Sequence, residues 1–317
     1  MRTNAILLGT VVAVLALASC GSPAETTAPA ASPAKITVRD AFGPVELPGP
    51  ATRVVSLEWT YTEELLALGV TPVGVADKDL YNDWVTAGPR IPATVADVGT
   101  RQEPNLETIA SLRPDLIVGN ADRLANNIDS LRSVAPVVAF RWNDPAKKQL
   151  AVMKESFRSL AGALGKDGAA AEALARLDAA TASAKEKLSA AGTTFALAYP
   201  AGGAGAATVT VFAKPSLASQ ILEEAGMTNA WTGTADGDGL STVGVEALTA
   251  LPADVRFLYV SPSSDDTFVK LAGNKVWTGL PFVKAGHTHK LDPTPWLYGG
   301  PSSAEQLLDE TVAALVK

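Results

Sequence analysis

The chain has 317 residues, 47% of them hydrophobic and 19% charged, which is enough apolar content to bury a core and unlike a disordered tail or a collagen-type repeat. Its formal net charge of -7 lacks the concentrated positive charge that binding a nucleic-acid backbone requires. With one cysteine there is no internal disulfide, and with two histidines no site of three or four His ligands.

Residues 1–19 read as an export signal: Arg2 supplies the positive end, and the apolar run from Ala5 to Ala18 is too short to span a membrane comfortably. The run ends in Leu17-Ala18-Ser19-Cys20-Gly21, which resembles the processing box of bacterial lipoproteins. That resemblance implies cleavage before Cys20 and acylation at its sulfur. The alternative is a secreted protein with a buried thiol. Two or three acyl chains hold a protein stably where one does not, so the mature chain is expected on the outer face of the cytoplasmic membrane. Residues 20–35, nearly all Ala, Ser, Thr, Pro and Gly, read as a flexible tether.

From Arg53 short apolar strands alternate with amphipathic helices, which predicts an α/β fold. Val54–Leu57 reads as a strand, Tyr61–Leu68 as a helix closed by Gly69, and Val73–Val75 as a second strand. Asn105 can cap a helix over Leu106–Leu112 that Arg113-Pro114 ends, and Asp115–Val118 is the next strand. Leu150, Met153, Phe157, Leu160 and Leu164 then recur at helical spacing, Gly165–Gly168 breaks the run, and a second helix carries Leu174, Leu177 and Leu188. Strands resume at Phe195–Tyr199 and Thr208–Phe212, and Ser302 with Glu305 forms a capping box for the last helix. The expected organisation is an N-terminal α/β lobe over 36–166, a connecting helix over 167–191 and a C-terminal α/β lobe over 192–317.

The two lobes echo each other. Glu107 precedes Leu112, Asp115 and the run Leu116-Ile117-Val118 at the same steps at which Glu246 precedes Leu251, Asp254 and the run from Phe257 to Val260. Helix-dipole complementarity explains each acid locally but not their matched placement. One exposed carboxylate per lobe would make a two-point electrostatic latch for a basic partner.

Several stretches resemble the ferric-siderophore binding lipoproteins of bacterial ABC importers: Arg53–Glu58, Val98–Glu107, Arg113–Gly119, Ala213–Leu217, Met227–Trp231, Leu280–Gly286 and Trp296–Gly299. The likeness covers nearly the whole mature chain in the right order. It implies a bilobed, monomeric substrate-binding protein with ligand in the interlobe cleft, small closure on binding, no catalysis and no cofactor. Members carry ferric hydroxamate, citrate or catecholate siderophores, cobalamin or haem; a ferric hydroxamate is the favoured expectation here. By the same resemblance Glu107 and Glu246 would meet arginines of the permease, and Arg101 would donate to the chelating oxygens. Hydroxamate binders often place a tyrosine where this chain has Asp122-Arg123, so Arg123 takes that place.

A ferric chelate offers hard oxygen donors inside an organic shell, so a suitable cleft combines guanidinium forks with aromatic walls. Arg101 and Arg123 are the candidate forks, and Trp296, Tyr298, Trp84 and Trp59 the candidate walls, against the plain alternatives of surface ion pairs (Glu103 for Arg101) and core packing. Where some relatives place a C-lobe tryptophan the chain has Asp238-Gly239-Leu240, which predicts a more open wall. The segment Gly202–Gly205 reads as a hairpin loop, and His287 with His289 as a surface turn. The rival class is a lipid-anchored hydrolase using two carboxylates, although no hydrolase motif is present.

Overall fold

A computed structural model describes residues 35–189, 194–201, 207–261 and 266–316. Cys20, the tether before residue 35 and the loop 202–205 lie outside the described residues.

The N-terminal lobe opens with an antiparallel hairpin, β1 (Ile36–Asp40) and β2 (Gly43–Leu47), and continues through β3 (Val54–Ser56), α1 (Trp59–Ala67), β4 (Gly74–Val75), α2 (Lys78–Trp84) and β5 (Ala96–Asp97). It then runs through α3 (Leu106–Ser111), β6 (Leu116–Asn120), α4 (Ala121–Leu124), α5 (Ile128–Arg132) and β7 (Val137–Phe140) to α6 (Gln149–Leu164). Strands β3 to β7 form a parallel sheet in the order β5-β4-β3-β6-β7. Both faces are covered, so β6 and β7 are buried at every position, as expected of a parallel sheet sandwiched by helices.

After α7 (Asp167–Leu188) the C-terminal lobe comprises β8 (Thr194–Ala201), β9 (Thr208–Phe212), α8 (Leu217–Glu224), β10 (Thr228–Asn229), β11 (Leu240–Gly244) and a 3-10 turn over Val245–Ala250. It ends with β12 (Arg256–Tyr259), α9 (Thr267–Lys270), α10 (Lys275–Gly279), α11 (Pro281–Lys284), β13 (Thr288–Lys290) and α12 (Pro301–Leu315). Its mixed sheet has the order β11-β9-β8-β12-β13, with β10 also pairing β8. Strands β8, β12 and β13 are parallel to one another, while β9 runs antiparallel to both of its neighbours, β8 and β11.

The fold is therefore α/β, with two lobes joined by a long helix. Helix α7 is about 33 Å long at the usual rise per residue. Its first half (Ala170, Ala173, Leu174) lies in the core of the N-terminal lobe and its second half (Leu177, Ala184, Leu188) in the core of the C-terminal lobe. Each buried leucine contributes about 2 kcal/mol by leaving water, so the helix fastens to both lobes. The glycine break between α6 and α7 is real: Gly165 closes α6 in the left-handed conformation at φ +65°.

The last helix corrects one expectation. It starts at Pro301 behind Gly300, with no side-chain cap, so Ser302 and Glu305 form no capping box. The N–H and hydroxyl of Ser303 instead donate to Glu63, a buried carboxylate on α1 of the other lobe. A cap brought from so far along the chain leaves no local sequence pattern.

Candidate functional site

In open α/β sheets, ligands sit beyond the carboxyl ends of the strands. Here those ends carry Glu58 and Trp59 after β3, Asp77 after β4, Arg101 after β5 and Asn120 to Arg123 after β6, and from the other lobe the segment Pro295–Tyr298 after β13. A cavity of about 280 Å³ opens between the lobes, lined by Trp59, Trp84 and Arg101 on one side and by Tyr199, Trp296 and Tyr298 on the other. Five of the six candidate ligand residues thus share one hollow.

The rings form a continuous wall. Trp296 lies 5.0 Å from Trp59, 6.4 Å from Trp84 and 5.2 Å from Tyr298, centroid to centroid. Trp59 is nearly buried, its Nε1 donates to the carbonyl of Ala76, and its ring, at the edge of the hollow, carries the Arg101 guanidinium at 3.6 Å. For Trp59, core packing and cleft lining are both true. The Tyr298 hydroxyl donates to Tyr199 at 3.3 Å, and burial holds its pKa well above the ordinary tyrosine value, so it is a neutral donor and acceptor.

Arg101 does not pair with Glu103. Its Nε donates to Asp77 Oδ2 and its Nη1 to Glu58 Oε1, each at 3.2 Å, and the side chain is only 13% exposed. The loop that delivers it needs Gly99 at φ +92°, where an added Cβ would lie 2.8 Å from the Glu103 carbonyl oxygen. Asp77 itself takes a left-handed conformation, which aspartate tolerates, and from there its carboxylate also accepts the Arg101 N–H at 3.0 Å. Two of the five guanidinium N–H groups are thus committed to these carboxylates, leaving others for a ligand.

Arg123 departs from the expected arrangement. It does not line the cavity; its Nε lies 2.8 Å from Glu58 Oε2, in ion-pair contact without good hydrogen-bond alignment, and the guanidinium sits 5.3 Å from the Trp142 ring. Glu58 therefore holds both arginines, one per oxygen, while its own Oε1 also accepts the Trp59 N–H at the start of α1. Glu58, Asp77 and Trp142 are functional candidates that sequence reasoning missed. An acid directly after a wholly buried apolar strand was the available clue for Glu58.

At the C-lobe segment expected to form a more open wall, Asp238 is held by a polar clasp. Asn143 Nδ2 donates to Asp238 Oδ1 at 2.6 Å and to the Gly237 carbonyl at 3.0 Å, and Gln149 Nε2 donates to the Asp238 carbonyl at 3.0 Å. Burial and neighbouring Asp236 raise the pKa of Asp238.

Glu107 and Glu246 occupy matching places. Each is exposed in the first turn of a short helix, α3 or the 3-10 turn, that leads into an interior strand of its lobe's sheet, β6 or β12. Among the described residues no group of three or more His, Cys, Asp and Glu converges to hold a metal ion. His287 and His289 lie at the edge around β13, where His287 Nδ1 is 3.3 Å from the Ala253 carbonyl oxygen.

The family model described as "Periplasmic binding protein" matches residues 54–295. The iron(3+)-hydroxamate-binding protein FhuD of Escherichia coli (strain K12) is 33% identical over 252 residues, covering 80% of this chain and 83% of that protein. The probable siderophore-binding lipoprotein YfiY of Bacillus subtilis (strain 168) is 27% identical and covers 96% of each chain. Among solved structures, the Fe3+-Desferal bound siderophore binding protein FhuD from Vibrio cholerae superposes with a TM-score of 0.75 at 29% identity, covering 84% of this chain and 98% of that one.

Proposed function

We propose, from the premise that this chain belongs to the periplasmic binding protein family, that it captures a ferric siderophore outside the cytoplasmic membrane and delivers it to an ABC permease. The observation that carries this reading is the shared hollow of about 280 Å³ in which rings from both lobes face a guanidinium. Its volume is at the small end of ligand sites, so it would grip one face of a bulky chelate and leave the rest toward solvent. Trp84, Trp296 and Tyr298 would pack on the organic shell, Trp59 would back Arg101 from below, and the uncommitted N–H groups of Arg101 would meet the chelating oxygens. Iron would arrive inside its own ligand set and need no protein ligand.

Charge favours a hydroxamate complex. Arg101 and Arg123 are balanced by Glu58 and Asp77, and Asp236 and Asp238 stand on the facing lobe. A multiply anionic tricatecholate or citrate complex would find no surplus positive charge there, whereas an uncharged or cationic trihydroxamate needs none. Arg123, outside the cavity lining, would act through Glu58 and Trp142 or reach a protruding part of the ligand.

Around this centre we place the signal at 1–19, the lipidated tether at 20–35 with the anchor at Cys20, lobes over 36–166 and 192–317, and Glu107 with Glu246 as the paired contacts for permease arginines. A monomer without a cofactor suffices for this role. The lipid-anchored hydrolase finds no support among the relatives.

Native mass spectrometry of the soluble domain with ferrioxamine, ferrichrome, ferric citrate, ferric enterobactin, cobalamin and haem tests the reading. Retention of a ferric trihydroxamate is expected. Retention of cobalamin or haem alone would overturn the ligand and leave the fold.

A further inference from the structure

Helix α6, like α7, is shared between the lobes. Leu150 and Met153 at its start pack in the core of the C-terminal lobe, while Phe157, Leu160 and Leu164 lie in the core of the N-terminal lobe. Two helices therefore cross the boundary, in opposite senses. The first turn of a helix leaves backbone N–H groups without partners, and α6 has no side-chain cap of its own.

Its cap comes from the other lobe. Gln220 on α8 accepts the Leu150 N–H through Oε1 at 2.9 Å, and Gln149 on α6 accepts the Leu217 N–H at the start of α8 through Oε1 at 2.7 Å. Each helix thus caps the other. The amide nitrogens are used as well: Gln149 Nε2 donates to the Asp238 carbonyl at 3.0 Å and Gln220 Nε2 to the Pro215 carbonyl at 2.9 Å. Both glutamines are only 9% exposed, and each amide oxygen and nitrogen has a partner.

The opposite rim is tied differently. Beyond Trp84 and Trp296 the lobes meet at Thr86, whose hydroxyl donates to the Thr294 carbonyl at 2.9 Å and accepts from Gln306 Nε2 at 2.8 Å. Thr86 is exposed, so water replaces either bond at little cost. Leu80, on the same helix as Trp84, is 46% exposed and borders the hollow, which puts the mouth on this side. Between the rims, Thr60 and Glu63 of α1 hold the floor at Tyr298 and Ser303.

We propose that the reciprocal glutamine caps are the pivot of the two lobes, and that the cleft opens and admits its occupant at the Thr86 rim. Parting the lobes at the pivot would strand two helix-end N–H groups and two buried amides, and would draw Leu150 and Met153 out of a packed core. Parting them at the other rim only exchanges solvent-facing bonds for water. The statement about an occupant rests on the cleft being a ligand site; the pivot does not.

Distances between paired spin labels test this in a Cys20→Ala background, which removes the one native thiol. Asp83→Cys with Asp309→Cys reads the mouth, and Lys147→Cys with Glu224→Cys reads the pivot; all four positions are exposed. In ligand-free protein the distance distribution across the mouth is expected to be at least about twice as wide as that across the pivot. Ferric desferrioxamine is expected to narrow the first and leave the second unchanged. With Gln149→Leu and Gln220→Leu together, the pivot distribution is expected to widen about twofold, to the width found at the mouth.

Equal widths at the two rims in ligand-free protein, or a double variant that keeps the wild-type pivot distribution, would overturn the pivot. If that variant does not fold, the ligand-free comparison decides alone. A chelate that binds without narrowing the mouth overturns the entry route. No binding at all counts against the ligand reading, and the ligand-free widths still decide the pivot.

Discussion

Replacing Glu58 by glutamine tests the anchoring of the site most directly. The Glu58 carboxylate, 1% exposed, takes Arg101 Nη1 at 3.2 Å and the Trp59 N–H at 2.9 Å on one oxygen and lies 2.8 Å from Arg123 on the other. Glutamine keeps one acceptor but turns an NH2 toward a guanidinium. Removing one partner of a buried ion pair costs about 3–5 kcal/mol. Arg101 retains Asp77 and its stack on Trp59, and Arg123 is 29% exposed and recovers hydration. These discounts bring the loss to about 2–3 kcal/mol. For a folded unit of this size that lowers Tm by about 4–12 °C. Urea unfolding at neutral pH, followed by tryptophan fluorescence and far-UV circular dichroism, measures it, and the cycle with Arg123→Ala should show a coupling of about 1 kcal/mol. A Glu58→Gln protein within about 0.5 kcal/mol of wild type would refute the view that this carboxylate anchors both arginines.

Arg101→Ala should weaken binding of a ferric trihydroxamate by about 1–3 kcal/mol, measured by fluorescence titration, and unchanged affinity would remove it from the site. Reversing charge at both Glu107 and Glu246 should abolish uptake in cells while the titration stays as in wild type; normal uptake would count against the latch. Because the Glu63 pKa rises from 4.5 to about 7 on folding, the folded state holds a proton that the unfolded chain gives up between those values. Its stabilisation is complete below the lower value and is lost as pH rises to the upper one, roughly 3 kcal/mol in all. The difference in unfolding free energy between wild type and Glu63→Gln should follow that curve, and a pH-independent difference would contradict it. Gly299→Ala should destabilise the protein by at least about 2 kcal/mol in the same urea assay, because its Cβ has no room beside Glu63 and Ser303.

Much of the architecture was written locally. Apolar runs such as Leu116-Ile117-Val118 need a sheet covered on both faces, and Leu150 to Leu164 at helical spacing need a helix with one buried stripe. Asn105 caps α3 by accepting the Thr108 N–H three residues on, an interaction short enough to read from the letters. Residues that line the hollow at strand ends were also legible, since Arg101, Trp296 and Tyr298 sit in loops that must emerge at the carboxyl edge of their sheets.

What only the tertiary structure decided are the pairings between distant segments. Nothing near Glu58 in the chain says that it faces Arg101 and Arg123, nothing near Ser303 says that its cap is Glu63, and nothing near Asp238 says that Asn143 will donate to it. The sequence by itself determined which segments become strands and helices and which residue types reach the cleft, because backbone hydrogen bonding and the spacing of apolar side chains act over a few residues. Which charges neutralise one another at Glu58 depends on how the N-terminal lobe folds, whereas how wide the hollow is and where the buried Glu63 finds its donors depend on two lobes docking. That docking brings together groups hundreds of positions apart.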